Sequence, residues 1–521
     1  MRIGVDVGGT HTDAVLLDGE RIVASCKQLT SADVISGVKA ALSELKRQAG
    51  SSPTLETVMI GTTQFTNAVI ERRELSPVAA IRIGLPSGRG LPPGAGWPED
   101  ILSALGDHAY SLPGGYLYDG KVLAPSDSDA MRARAEDIAA KGITNIAIAS
   151  AFSPANPEPE FEMAQIVRDA IPGAAITLSH QIGRLGLLER ENAAMLNAAL
   201  RPFAARVVDA FVGALNDLGV TCPLYISQND GTLMDADFVR EFPALTFSSG
   251  PTNSLRGAAR LTGLEEAIVV DIGGTTSDIG VLRGGFPRES NRAVDVGGVR
   301  TNFRMPDITA LGLGGGSLVS DDGRRIGPQS VGHRLVSEAL VFGGSTLTAT
   351  DIVVAAGRAD VGDRSKVAHL PRETVENAMA TMRAMLEENI RQMKPDKQPL
   401  PVILVGGGAI LAPETLAHAS QVLTPEHSGV ANAIGASIAL VGGEAEIFAD
   451  YRDETRAHAL ERATQQAQQV AVRAGGDPAT IRTSEVEETA LPYMDDGVTR
   501  VRVKVVGSLA RPQGLPKEAR S

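Results

Sequence analysis

The chain contains one short pattern twice: Ile3-Gly4-Val5-Asp6-Val7-Gly8-Gly9-Thr10-His11-Thr12-Asp13 and Val269-Val270-Asp271-Ile272-Gly273-Gly274-Thr275-Thr276-Ser277-Asp278. In both copies an apolar run leads to an aspartate, two glycines follow, and a segment rich in hydroxyl groups ends in a second aspartate. Another β-prone run comes next, at residues 14–17 and 279–282. The pattern predicts a strand, a tight turn and a second strand in each place.

A turn of this composition is suited to bind phosphate. Glycines let backbone amides approach an anion closely, and successive N–H groups can form an anion-binding nest. Asp6 and Asp271 are candidate ligands of Mg²⁺, directly or through water. An ordinary Gly-rich hairpin is the alternative for either copy alone, and the second copy favours phosphate binding. The candidate phosphate-binding residues are Gly8, Gly9, Thr10, Thr12, Gly273, Gly274, Thr275 and Thr276.

Length, charge and cysteine content limit the classes of protein. The 521 residues exceed what one hydrophobic core usually serves, which predicts two or three domains. The formal net charge of -13 disfavours a surface that binds nucleic acid. Cys26 and Cys222 are the only cysteines, so a disulfide framework is not expected. Without a signal-peptide pattern or an apolar run of membrane-spanning length, we expect a cytoplasmic protein that does not contact membranes.

Strands and helices alternate along the first half of the chain. This alternation predicts an α/β fold with a largely parallel sheet covered by helices. The expected strands are residues 57–60, 78–83, 145–151 and 174–179, and the expected helices are residues 33–45, 126–141 and 160–170.

A strongly helical stretch at residues 186–200 carries a cluster of charged and amide side chains. Glu189, Glu191 and Asn192 are candidates for positioning water or a metal ion. A solvated helix face is the alternative interpretation. We include Glu189 and Asn192 among the candidate catalytic residues, with Asp6, Asp271 and Asp278.

The last part of the chain has a different character. Residues 444–475 are rich in alanine and charge and predict a long helix, and residues 481–492 and 498–509 predict two strands joined by a turn at 495–497. This is a small α+β tail. An exposed strand edge there could join a partner or a second copy of the chain, and a self-contained cap is the alternative.

Further motifs follow the first hairpin: Gly61-Thr62-Thr63 with residues 66–68, Glu189-Arg190-Glu191-Asn192, Gln228-Asn229-Asp230-Gly231, Ser249-Gly250-Pro251, Gly312-Leu313-Gly314-Gly315-Gly316-Ser317 and Val405-Gly406-Gly407-Gly408. With the two hairpins, these motifs resemble the ATP-dependent hydantoinase/oxoprolinase A-type proteins. The nucleotide domain of that family belongs to the actin, sugar-kinase and heat-shock ATPase superfamily. The resemblance extends to about residue 440.

The resemblance implies a two-lobed ATPase that uses ATP and Mg²⁺. It implies an N-terminal lobe at 1–180 with the first phosphate loop, a second ATPase lobe at 181–443, and a small α+β region at 444–521. Gly314 and Gly315 would join the nucleotide-binding residues, and Gly406, Gly407 and Gly408 would form the adenosine-contacting motif. His11 and residues 330–335 depart from the family pattern, and the long C-terminal extension of larger relatives is missing, so the likeness is to a short stand-alone branch.

The implied reaction is ATP-dependent hydrolysis of a cyclic amide such as a hydantoin, a lactam or an oxoproline-like ring. Transfer of the γ-phosphate to the amide oxygen would create a good leaving group, and phosphoryl transfer needs mainly positioning and charge neutralisation. The water-activating step resembles the task of a separate B-type partner subunit, and we expect an oligomer. The eight histidines form no His-x-x-x-His pair. A small-molecule kinase, a carboxylase subunit and an ATP-gated reactivase or assembly factor are the alternatives.

Overall fold

The computed structural model describes residues 1–8, 11–29, 34–50, 54–117, 120–290, 293–303, 305–395, 398–438, 440–491 and 498–510. Two candidate phosphate-binding residues, Gly9 and Thr10, lie outside the described residues, as does the turn expected at 495–497.

The largest sheet holds the first hairpin near one edge. In this hairpin, Arg2–Val7 pairs antiparallel with His11–Asp18. Arg2–Val7 also pairs parallel with Thr57–Thr62. Helices Val34–Ala49 and Leu187–Asp217 pack against it around a large apolar core. Nine strands of the described chain form this sheet, in the order Arg482–Ala490, Val498–Ser508, Leu440–Asp450, Leu233–Asp235, Leu224–Ser227, Thr57–Thr62, Arg2–Val7, His11–Asp18 and Arg21–Leu29.

A second sheet holds the second hairpin and repeats the local arrangement of the first. Ala267–Ile272 pairs antiparallel with Ser277–Arg283 and parallel with Leu400–Val405. Helices Ala349–Ala355 and Arg372–Met393 cover its apolar face. The two predicted strand–turn–strand units are therefore confirmed. The remaining strands of this sheet in the described chain are Phe286–Pro287, Ala419–Leu423 and Ile308–Leu311.

Two helices connect these sheets and cross in close contact. Ser249–Thr262 leads from the first sheet to the second, and Ala431–Ala436 leads back. A Cβ atom at Gly257 would overlap the carbonyl oxygen of Ala431, and one at Gly435 would overlap the carbonyl oxygen of Asn253. Backbone therefore lies directly on backbone at the crossing, which only glycine permits.

A third sheet is entirely parallel, as the alternation of strands and helices predicts. Its strands, in order, are Ala109–Pro113, Ala79–Leu85, Asn145–Ser150 and Ala175–Leu178, and helices Ser128–Ala140 and Glu158–Ala170 cover it. None of the described helices is long and apolar enough to cross a membrane. Further described elements include the strand pairs Val294–Val296 with Val299–Thr301 and Ser317–Val319 with Ile326–Ser330, and the short α-helices Gln64–Ile70, Glu99–Leu105, Ser179–Ile182, Ala236–Glu241 and Leu335–Glu338.

The C-terminal region differs from the expected long helix at 444–475. Residues Leu440–Asp450 form a strand that pairs along its whole length with Val498–Ser508, and the helix begins only at Arg456 and ends at Arg473. The helix lies close to the strands because its buried residues are small: Ala459, Ala463, Ala467 and Ala471 pack on them. The expected strands at 481–492 and 498–509 are confirmed as Arg482–Ala490 and Val498–Ser508. The division expected at 443/444 falls inside a strand, and these C-terminal strands extend the sheet that begins at Arg2.

Buried charges fasten this C-terminal hairpin to the rest of the chain. Lys504 Nζ lies 2.8 Å from Asp230 Oδ2 and 3.4 Å from Glu289 Oε1. Arg502 reaches Glu289 at 3.1 Å and Glu444 at 3.2 Å. The side chains of Lys504 and Arg502 are 9% and 7% exposed, so these pairs are largely shielded from water.

We predict that Lys504→Met lowers the free energy of unfolding by about 3–5 kcal/mol, because it leaves Asp230 buried without its cation, while Glu289 keeps its pairing with Arg502. Lys39→Met is the matched control, since the Lys39 and Asp217 side chains are 39% and 67% exposed. An exposed pair contributes about 0–1 kcal/mol. Urea unfolding followed by circular dichroism measures both changes, and equal shifts in the two variants would contradict the prediction.

Candidate active site

Each hairpin presents two aspartates on the same face. Asp6 lies opposite Asp13 in the first hairpin, and Asp271 lies opposite Asp278 in the second. Alternate residues of a strand point to opposite faces. The apolar neighbours Ile3, Val5 and Val7, and likewise Ile268, Val270 and Ile272, fill the cores, so the carboxylates face the crossing helices.

One helix holds carboxylates of both hairpins. The Asn253 amide donates from Nδ2 to Asp6 Oδ1 at 3.1 Å, and the hydroxyl of the next residue, Ser254, donates to Asp271 Oδ2. From the second crossing helix, Asn432 Nδ2 donates to Asp6 Oδ2 at 3.1 Å and to Asp13 Oδ2 at 2.9 Å. Asp6, Asp13 and Asp271 therefore converge where the two helices cross, and Asp278 lies beside Asp271.

The cluster is crowded with negative charge. Burial raises the pKa of Asp6 to about 7, and the neighbouring charges of Asp13 and Asp271 add to the effect. Burial, with the charge of Asp271, also raises the pKa of Asp278 to about 7. The pKa of Asp271 is raised by burial as well, although Lys27 opposes the rise. Carboxylates held in this way are stabilised in their ionised form by a cation.

The donor set fits a magnesium ion that travels with a nucleotide. Mg²⁺ in such sites is usually bound by one or two carboxylates and completed by phosphate oxygens and water. Asp6 and Asp271 supply carboxylate oxygens, and Asp13 Oδ1 is buried without a hydrogen-bond partner. Within the described ranges, no group of three or more His, Cys, Asp or Glu residues is placed to hold a metal ion.

The two turns close in the same way. The Gly8 N–H donates to the His11 carbonyl at 3.0 Å, and the Gly273 N–H donates to the Thr276 carbonyl at 2.9 Å. Thr275 and Thr276 are exposed, and a Cβ atom at Gly274 would meet nothing within 4 Å. The second turn is thus open to a ligand, as a phosphate-binding role requires.

Three candidate residues, Thr12, Gly314 and Gly315, take different places from those expected. Thr12 is fully buried, and its Oγ1 would lie 3.0 Å from a Cβ atom at Gly37, on the face opposite Asp6 and Asp13. The alternation of strand residues directs its hydroxyl away from the carboxylates. The N–H groups of Gly314 and Gly315 donate to Ser317 Oγ and the Gly273 carbonyl, so both glycines brace the second turn from behind.

A cavity of about 420 Å³ adjoins the second turn, within the usual size range of ligand pockets. Gly406 and Gly407 line it. Gly406 has a φ of +83°, and a Cβ atom there would overlap Asp271 Oδ1. The Gly408 N–H donates to the Ile272 carbonyl at 2.7 Å. The glycine motif therefore joins the cavity to the aspartate cluster.

The structure does not place Glu189 and Asn192 among the partners of the aspartates. Glu189 Oε1 lies 3.2 Å from Arg300 Nε. Asn192 accepts from Trp97 Nε1 at 2.9 Å and donates to the Arg300 carbonyl at 2.8 Å. These bonds fix the start of the helix Leu187–Asp217 against the hairpin at 294–301, which accounts for both residues structurally.

Sequence reasoning missed several side chains of the cluster. Asp13 repeats at Asp278 in the quoted pattern, and that repetition was a usable signal. Asn253 and Ser254 come two and three residues after the end of the Ser-Gly-Pro motif. Lys27 and Asn432 have no local pattern that marks them, because they reach the cluster only through the tertiary fold.

Comparison with known proteins identifies the family to which the chain belongs. Two models match: "Hydantoinase/oxoprolinase N-terminal region" over residues 2–171 and "Hydantoinase/oxoprolinase" over residues 190–393. The alpha subunit of caprolactamase from Pseudomonas jessenii is 27% identical over 386 residues, which cover 68% of this chain and 54% of the relative. The gamma subunit of acetophenone carboxylase from Aromatoleum aromaticum is 26% identical over 453 residues, covering 74% of this chain and 60% of the relative. The matches thus span little more than half the length of these relatives.

The fold has a solved counterpart. The crystal structure of ATP-dependent caprolactamase from Pseudomonas jessenii superposes with a TM-score of 0.74 at 20% sequence identity, and the match covers 100% of this chain and 89% of that one. At this identity the likeness concerns the fold.

The raised pKa values make the nucleotide-free protein less stable as pH rises. Between about pH 4 and pH 7 the folded state keeps protons on Asp6 and Asp278 that the unfolded chain has lost, so the free energy of unfolding falls across this window. We predict that Asp278→Asn stabilises the nucleotide-free protein at pH 8, by on the order of 1–3 kcal/mol, and has little effect near pH 4. Thermal unfolding across this pH range measures the difference. The surface variant Asp107→Asn is the control, and a gain that does not depend on pH would contradict the assignment.

Proposed function

Because the chain belongs to the hydantoinase/oxoprolinase family, we propose that it uses ATP, with Mg²⁺, to activate a cyclic amide for hydrolysis. The observation that carries the proposal is the convergence of two equivalent hairpins on one aspartate cluster. Asn253 and Ser254 hold both halves of that cluster, and the 420 Å³ cavity lies beside it. A polyphosphate bound at this place could contact both lobes.

The reaction class follows from the chemistry of amides. Nitrogen donates electrons into the carbonyl group, so an amide resists attack by water. Transfer of the γ-phosphoryl group to the amide oxygen breaks the bond between the β- and γ-phosphates and releases ADP. Water then adds to the activated carbon, and the C–N bond opens to release the amine and leave an acyl phosphate. A second water hydrolyses this acyl phosphate to a carboxylate and inorganic phosphate.

Each named residue has one task in this proposal. Asp6 and Asp271 hold the cation that neutralises the phosphates, and Gly8, Gly273, Gly274, Thr275 and Thr276 contact the phosphates. Gly406, Gly407 and Gly408 back the adenosine. Asp278 is the candidate for orienting the acceptor, because it lies opposite Asp271 in the strand register, on the same face of the second hairpin.

A partner subunit is part of the proposal. The curated relatives are named as subunits of caprolactamase and acetophenone carboxylase. We propose that a B-type subunit activates the water and that the two chains form an oligomer in the cytoplasm, where the two free cysteines would stay reduced.

Carboxylation is the second candidate function. The acetophenone carboxylase relative aligns over a larger share of this chain than the caprolactamase relative, 74% against 68%. The same phosphoryl transfer could activate bicarbonate and a ketone instead of an amide. The products separate the two functions.

We predict that ADP release by the purified chain rises when a ring compound that it accepts is added, and that Asp271→Asn lowers the stimulated rate by about 10²-fold or more because the cation loses a ligand. The assay uses Mg²⁺-ATP with a panel of hydantoins, lactams and cyclic dipeptides. It is repeated with a co-expressed candidate partner subunit and with bicarbonate plus ketones. Asp107→Asn is the control for a surface aspartate.

Ring-opened product would support the amide hydrolase, and a carboxylated ketone would support the second candidate. Stimulation by the partner protein without any small substrate would contradict both functions and favour an assembly ATPase. Full activity in Asp271→Asn would remove the aspartate cluster from the mechanism.

A further inference from the structure

Lys27 crosses from the first hairpin sheet to the wall of the cavity. It lies on the edge strand Arg21–Leu29, directly opposite Asp13 in the strand register. Its Nζ donates to Asp13 Oδ2 at 2.8 Å and to the carbonyl of Gly429 at 3.1 Å. Gly429 lines the cavity that adjoins the second hairpin. One ammonium group therefore bridges the aspartate cluster of one lobe and the candidate nucleotide pocket of the other.

The side chain is neither buried nor fully solvated. Its relative exposure is 36%, whereas that of Asp13 is 3%. Its Cε would lie 4.0 Å from a Cβ atom at Gly407, so the aliphatic stem runs along the glycine motif. A lysine with a flexible stem and a partly open head can change partners without repacking a core.

The negative charge around Lys27 exceeds that of Asp13 alone. Four aspartates converge here, and a nucleoside triphosphate would add its own negative charges. In the described part of the site, Lys27 is the cation that acts on Asp271 as well as on Asp13. Phosphoryl transfer depends on positive groups beside the phosphates. The Gly429 carbonyl, in contrast, is a neutral partner that the ammonium can give up.

We propose that Lys27 is a polyphosphate-binding residue, which exchanges its bonds to Asp13 and Gly429 for phosphate oxygens when a nucleotide enters. The inference rests on the proposed ATP site but not on the identity of the ring substrate. By binding phosphate, Lys27 would hold the cavity wall and the first hairpin close to the same phosphates. The bond from Asn432 to Asp13 remains to hold that carboxylate in place after the exchange.

Equilibrium binding tests the role, with Lys27→Met, Lys27→Arg and the control Lys39→Met. Isothermal titration calorimetry measures the dissociation constants of Mg²⁺-ATP, Mg²⁺-ADP and adenosine for each variant. We expect Lys27→Met to weaken ATP binding about 10-fold or more, because a charge-assisted bond to phosphate is lost. Adenosine, which has no phosphate, should bind within about 2-fold of the wild type. Lys27→Arg should recover part of the ATP affinity, and Lys39→Met should behave as the wild type.

Three results would overturn the inference. Equal losses for adenosine and ATP would show that Lys27 only shapes the cavity wall through Gly429. Unchanged ATP affinity in Lys27→Met, with thermal unfolding near that of the wild type, would show that the ammonium does not reach the phosphates. A wild-type chain that binds no ATP would overturn the inference and the proposed function together. If ATP binds as expected but no ring compound is opened, only the proposed substrate class fails.

Discussion

The contact between two short helices organises the molecule. Gly257 and Gly435 let the backbones of Ser249–Thr262 and Ala431–Ala436 touch, and the two sheets are placed on either side of that contact. Because Asn253 and Ser254 are consecutive residues, the carboxylates of Asp6 and Asp271 are tied to points about 1.5 Å apart along one helix axis. The geometry of an α-helix thus sets how the two hairpins face each other.

In the nucleotide-free protein, the burial of these aspartates costs free energy. Burial raises the pKa values of Asp6, Asp271 and Asp278, and repulsion from neighbouring aspartates adds to the rise. Amide and hydroxyl donors from Asn253, Asn432 and Ser254 reduce it without supplying charge. A cation and a polyphosphate would complete the balance, which is why the arrangement suits a ligand that arrives with both.

Local repetition made the hairpins predictable, whereas the glycine motif after the strand Leu400–Val405 was identified by its resemblance to a family pattern. Both depend on short stretches whose residues are neighbours in the chain. The strand Leu440–Asp450 was not predictable from its sequence, because its alanines and glutamates favour a helix until two other strands enclose it. Asn432 and Asp6 are 426 positions apart in the sequence, and no sequence pattern predicts a hydrogen bond between residues so far apart in the chain. Thr12 shows a different limit. The pattern identified the hairpin, but the alternation of side chains along the strand places the Thr12 hydroxyl on the face opposite Asp6 and Asp13.

The shared helix also limits how the molecule can move. If the lobes swing about the crossing of Ser249–Thr262 and Ala431–Ala436, groups beside the pivot keep their spacing while groups farther out travel through longer arcs. The aspartates sit at that pivot, and the far end of the cavity, at Pro413 and Glu414, does not. Such a hinge motion would open the mouth of the cavity to exchange a large ligand while the aspartate cluster stays assembled. Changes in the length of surface loops at the rim would then alter the rate of exchange without disturbing the chemistry within.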